Sequence, residues 1–379
     1  MTEQQVRELI DAATRTPGEI DAAIDRIGPA TVAAVLLDEL GSRADIDELT
    51  DYPAVVVEFA LSHRGETASH TITTDKGRTT CAPGRPGAPD AVVSQELGDL
   101  LRGVFGIRGS RTNPTRSIAW HHLGEPRAIV GPPHVFTTVR RLLRGSEPVS
   151  HDLSELSIRF GSDKWGLHYY TPHYEKYFAP LADLALNILE IGVGGYSHPE
   201  WGGGSLRMWK RFFHRGMIYG VDTFDKQAHQ RQRIGILQGD QGDVDFLEQA
   251  LDRTGPLDIV IDDGSHLNSD VLTSFRCLFP HLRPGGLYII EDMQTSYWPG
   301  FGGSSENLDD PATSVGFTKT LVDGLNHEEF EPPEARTPTG SDRQIGGLHF
   351  YHNLLIIEKA RNEEGALPVW IPRRPIDRR

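Results

Sequence analysis

The spacing of apolar and polar positions changes along this chain, and the changes divide it. Across residues 3–13, 17–27 and 29–40 the apolar positions recur at helical spacing, with Pro17 and Pro29 placed as helix starters. The pattern then turns to β-branched runs. Residues 54–62 (AVVVEFALS) and 68–74 (ASHTITT) read as strands, joined as a hairpin through His63, Arg64, Gly65 and Glu66. After a Pro/Gly loop at 83–89, residues 91–105 read as one helix packed on the hairpin. The polar segment 144–152 marks a linker. Residues 1–150 are therefore expected to form an N-terminal α+β auxiliary domain, and 151–379 a second domain, the default number for a chain of 379 residues.

The second region alternates strand and helix. A buried strand from Ile188 runs into Gly192-Val193-Gly194-Gly195, followed by a helix at 205–213. Strand 218–221 ends in Asp222, and a third strand precedes residues 237–241 (LQGDQ). A helix at 246–251, strand 258–266 (DIVIDDGSH), a helix at 269–279 and strand 287–292 (LYIIED) complete the alternation. This predicts an α/β fold, a doubly wound parallel sheet. Residues 299–343 form a long loop with a helix expected at 317–330. Residues 348–352 and 354–358, turning at Asn353, predict a terminal antiparallel hairpin.

Candidate chemistry lies where strands end. Two β-branched runs each finish in a carboxylate pair, Asp262-Asp263 and Glu291-Asp292, and His266 follows the first. In a sheet covered on both faces these ends share one rim, where ligands collect. Asp263, Glu291 and Asp292 would offer hard oxygens to a divalent cation, with His266 in reach of a proton on whatever it holds. Such donors favour Mg²⁺ over zinc, with Mn²⁺ as the alternative. As caps, the same acids would serve only strand or helix ends. Asp262 is expected to orient or cap and not to ligate.

The glycine turn departs from a dinucleotide fingerprint, because Ser197 stands at the third glycine position and residues 198–204 are inserted before the helix. Asp222 is placed to accept ribose hydroxyls, and Asp240 and Gln241 to meet an adenine. With no P-loop lysine, an adenosine cofactor without phosphates suits this sheet. A net charge of -15 argues against nucleic acid or an anionic membrane as partner. Two cysteines, Cys81 and Cys277, exclude a disulfide framework and fit a reducing cytoplasm, and no run of the sequence is apolar enough to cross a membrane. Residues 1–150 hold no chemical constellation. His121 and His122, adjacent in a strand, would face opposite ways, which favours a structural role over metal. Assembly is the expected work of this domain.

The motifs FGSDKWG, YYTPHYEKYF, NILEIGVGG, GGSLRMWKRFF, VIDDGSH, YIIEDMQTSYW and FYHNLLIIEK, in this order over about 155–360, resemble the macrolide-sugar O-methyltransferases, the mycinamicin and demethylmacrocin type. The resemblance implies a class I methyltransferase, Rossmann-like sheet, S-adenosylmethionine, Mg²⁺, and methyl transfer to a sugar hydroxyl of a glycosylated natural product. It also points to a homotetramer. Carried over by position, Glu190, Gly192, Asp222, Asp240 and Gln241 correspond to cofactor contacts, with Thr171, Gly194 and Ser197 beside them. Asp263, Glu291 and Asp292 correspond to metal ligands, and His266 to the general base. Two other readings stand beside this one: a methyltransferase of phenolic or catechol acceptors, and a catalytically silent scaffold of the same fold.

Overall fold

The computed structural model describes residues 2–110, 113–121, 133–147, 149, 151–332, 335–368 and 370–374. The chain forms two compact units, one of residues 1–159, 174–185 and 208–217, the other of residues 160–173, 186–207 and 218–379.

The first unit begins with helices α1 (Glu3–Ala12), α2 (Pro17–Ile27) and α3 (Pro29–Arg43). Thr16 and Glu19 cap α2 reciprocally, and Pro17 occupies its first turn, where no amide hydrogen is needed. Strands β1 (Val55–His63), β2 (Glu66–Asp75), β3 (Arg78–Pro83) and β4 (Ala91–Glu96) follow, then α4 (Leu97–Phe105), β5 (Ser117–Trp120), α5 (Pro133–Arg144) and α6 (Leu153–Phe160). The sheet order is β3-β2-β1-β4-β5. Arg64 and Gly65 join β1 to β2 with both φ angles positive, the geometry whose twist matches that of paired strands.

The single helix expected over 91–105 is two elements. Residues 91–96 (AVVSQE) bury alternate positions, and β4 pairs in parallel with β1; helical burial starts only at Leu97. A period of two over six residues was hidden by the apolar helix behind it. β5 stops at Trp120 and leaves His121 exposed, while His122 lies outside the described residues.

The second unit is built on a seven-stranded sheet. Its elements are α7 (Thr171–Phe178), β6 (Asn187–Ile191), α8 (Gly204–Phe212), β7 (Met217–Asp222), β8 (Ile234–Gln238), α9 (Val244–Thr254), β9 (Leu257–Asp262), α10 (Asn268–Leu278), β10 (Leu282–Ile290), α11 (Ser314–Leu325), β11 (Ile345–Tyr351) and β12 (Leu354–Lys359). α7 and α8 each run through both units. The order β11-β12-β10-β9-β6-β7-β8 is doubly wound, with β12 antiparallel to β10 and β11 to β12. Every residue of β6 is buried, as a strand covered on both faces requires. The terminal hairpin turns at Asn353 in the left-handed region. The helix in the long loop starts at Ser314, where Thr313 accepts from the Gly316 amide, and ends at Leu325, short of the expected 330.

Candidate active site

Strand register sets the site. Ile191 pairs with Asp262, and Asp262 with Ile290, across β6, β9 and β10. Gly192, Asp263 and Glu291 are therefore the first residues past three adjacent strand ends, at the crevice where a doubly wound sheet reverses its order. The Asp263 amide donates to Ile191 O and the Glu291 amide to Asp262 O, both at 3.0 Å, so each acid is fixed at its backbone. Gly192 has φ +95, and a Cβ there would lie 2.0 Å from the Asp263 carbonyl oxygen, so this turn has room only for glycine.

Asp263, His266 and Asp292 each place one ligand atom within 4.8 Å of the others. His266 Nε2 lies 3.9 Å from Asp263 Oδ1 and 3.7 Å from Asp292 Oδ2. Both His266 and Asp292 are non-glycine residues in the left-handed region, with φ of 56 and 52. Strain of that kind collects at functional sites. Asp292 precedes a 3-10 turn, yet its side chain makes no cap bond there. It accepts instead from the Tyr170 hydroxyl at 2.8 Å, and His168, stacked on Tyr170, lies 3.7 Å from it. Burial and the Asp292 carboxylate both raise the Tyr170 phenol above its ordinary value, keeping it a donor.

Glu291 is not in that trio. It accepts at 2.7 Å from Lys164, whose ammonium is fully buried and also donates to Asp263 Oδ2 at 2.7 Å, with Glu190 Oε1 at 3.4 Å. Burial opposes the charge on Lys164, but Asp263, Glu291 and Glu190 outweigh it and hold its pKa well above that of an ordinary lysine. Sequence reasoning passed over Lys164, Tyr170 and His168 as site residues. Lys164 and Tyr170 stand in the motifs FGSDKWG and YYTPHYEKYF, with His168 between them, but nothing there signalled a buried ammonium. Asp262 accepts from Gln241 Nε2 at 3.0 Å, with Ser274 and Tyr288 as further donors. Burial lifts its pKa to about 6, against the pull of Ser274 and Gln241.

The other expected cofactor contacts spread along the same rim. Asp222, at the end of β7, accepts from the Val193 and Phe224 amides at 3.1 and 2.9 Å, which fixes its carboxylate toward the glycine turn. Glu190 accepts from Ser205 at 2.8 Å, and Gln241 from the Ser265 amide at 2.6 Å. Thr171 is buried, and its amide donates to Lys164 O. Gly194, Ser197 and Asp240 are exposed. Tyr297 and Trp298 are partly exposed just beyond Asp292.

Comparison with known proteins now carries weight. The MycE methyltransferase N-terminal family model matches residues 6–116. The chain is 45% identical to demethylmacrocin O-methyltransferase of Streptomyces fradiae over 97% of this chain and 94% of that one. It is 44% identical to the 8-demethyl-8-alpha-L-rhamnosyl tetracenomycin-C 2'-O-methyltransferase of Streptomyces olivaceus, covering 95% and 96%. The chain belongs to this family of sugar O-methyltransferases. Among solved structures, MycE methyltransferase in complex with Mg, SAH and mycinamycin VI superimposes with a TM-score of 0.88 at 40% identity, over 99% of this chain and 97% of that one. The family's fold is thus the class I methyltransferase sheet described above, preceded by the MycE-type N-terminal region. Among the described residues, no helix is long and apolar enough to cross a membrane.

Proposed function

We propose that the protein transfers methyl from S-adenosylmethionine to a sugar hydroxyl of a macrolide or related glycosylated natural product, at a site completed by Mg²⁺. The observation that carries this is the meeting of Asp263, His266 and Asp292 past the ends of adjacent strands. The reactions of the relatives supply the acceptor class. Carboxylate oxygens fit a hard dication, so Asp263, Asp292 and Glu291 would hold it. When bound, the ion supplies positive charge beside a sugar oxygen that loses its proton, and the sulfonium supplies a methyl already activated to nucleophilic attack.

The chain's own residues do the rest. His266 Nε2 takes the hydroxyl proton, a role an imidazole can fill near neutral pH. Asp292 Oδ2 lies 3.7 Å from that nitrogen, and the Tyr170 hydroxyl, donating to Asp292 Oδ1, keeps the carboxylate in place. Asp222 receives the ribose hydroxyls, Asp240 and Gln241 the adenine, and Gly192 admits the ligand close to the backbone. Thr171, Glu190, Gly194 and Ser197 complete the cofactor pocket. In this reading residues 151–379 form the transferase domain, residues 1–150 an auxiliary domain for assembly into a homo-oligomer, a tetramer, and the enzyme works in the cytoplasm.

The test is turnover of labelled donor with Mg²⁺ against a panel of hydroxylated macrolide glycosides and free catechols, read by product mass. Glycosides are methylated, and excess EDTA stops the reaction. His266→Ala and Asp263→Asn lower kcat by roughly 10²–10⁴-fold, the usual share of general base catalysis. Full rate in EDTA, or in both variants, would remove the reading; methylation of catechols alone would change the acceptor.

A further inference from the structure

Lys164 sits where stability alone would not put it. Taking charges out of water is costly unless they are paired, so a purely structural cluster tends to balance. Here Glu190, Asp263 and Glu291 gather around one ammonium. Three carboxylates meet a single ammonium, so acids outnumber the cation they share. The lysine also divides the oxygens: Asp263 gives Oδ2 to Lys164, while its Oδ1 faces His266.

We propose that Lys164 is an internal counter-ion of the metal pocket, a positioning residue that holds Asp263 and Glu291 together before a dication arrives and then weakens that dication's hold. This rests on the reading above that these carboxylates take Mg²⁺. Its consequences have opposite signs. Without the ammonium, the carboxylates repel one another and the metal-free protein loses stability. The same uncompensated charge draws Mg²⁺ in more strongly. A lysine that only propped up the fold would lower stability and metal affinity together.

The test titrates Mg²⁺ alone into chelator-stripped, full-length protein, by calorimetry and by thermal melts. Lys164→Gln is expected to melt below the wild type without metal, yet bind Mg²⁺ about tenfold tighter or more, since a unit positive charge beside a dication has been removed. Its melting temperature then rises more on adding Mg²⁺ than that of the wild type. Lys164→Arg keeps the charge and stays within about threefold of wild-type affinity. The double variant Lys164→Gln with Glu190→Gln removes one charge of each sign and covers the case in which the single variant does not fold; its affinity should also stay near that of the wild type. Equal or weaker Mg²⁺ binding by Lys164→Gln overturns the proposal, as does loss of binding by a folded double variant. A wild type that binds no Mg²⁺ ends the metal reading itself, a result distinct from failure of the lysine's role.

Discussion

Each of the two units gathers charge, and they treat it differently. In the first, Arg43, Arg108, Arg144, Arg159 and Arg211 line a cavity with His151, Asp45, Glu147 and Glu155. Arg43 donates to Glu39 and to the carbonyls of Val104, Gly145 and His214; Arg211 donates to Arg43 O and Asp45; Arg159 pairs with Asp45 and Asp47. This basic cluster spends its donors on its own chain. In the second unit, three carboxylates share one lysine. Richness in one sign of charge therefore does not mark a site; what marks it is several carboxylates converging on one buried cation.

That contrast can be broken by mutation. Arg43 and Glu39 are buried; Arg43→Met leaves Glu39 with Lys210 at 3.3 Å and takes a donor from the Val104, Gly145 and His214 carbonyls, at about 1–3 kcal/mol for each acceptor that loses its bond, so it should cost about 3–5 kcal/mol in denaturant unfolding. Turnover per folded molecule should hold, because Glu39, Val104, Gly145 and His214, to which Arg43 donates, are not residues of the proposed site. A loss below about 1 kcal/mol would mean that the basic cluster is not a closed structural network. In the second unit the effects should fall on chemistry. Tyr170→Phe removes a hydrogen bond to a carboxylate, an interaction of about 1.5–3 kcal/mol. A fall in kcat of about tenfold is expected, with a loss of unfolding free energy no larger than that one bond, since the ring and its stack on His168 remain. A normal kcat would show that Asp292 needs no such support.

How much of this was legible depends on what each residue's neighbours are. DIVIDDGSH and LYIIED could be read because a buried strand writes its own signal, and the register then carries Gly192, Asp263 and Glu291 to one row. His266 and Asp292 could be named as chemistry, but not as residues in the left-handed region, since only the packed turn enforces that backbone. Lys164 was invisible for a different reason. It stands in a polar segment, between Asp163 and Trp165, and its burial comes from carboxylates up to 127 residues away. The strand at 91–96 was misread because its pairing partner, β1, lies 34 residues upstream in register, beyond any local window.

The smallest expected effect returns to the basic cavity and appears only as pH falls. Burial, with Arg211, Arg108, Arg144 and Arg43 around it, pushes the His151 imidazole down to about 3 from an ordinary 6.5. The folded protein thus keeps this ring neutral where the unfolded chain would protonate it. The stability this contributes is complete above about pH 6.5 and drains away as pH drops toward 3, with the slope of one proton. His151→Gln removes that proton uptake from the unfolded state, so its unfolding free energy should fall less steeply than that of the wild type between pH 6.5 and 5. Asp45, Glu147 and Glu155 face the same cavity and are common to both proteins, so the difference in slope between the two isolates the histidine. Parallel slopes would mean that the arginines, committed to carbonyls and acids, no longer press on the ring, and that the basic cluster is even more fully neutralised than its bonds suggest.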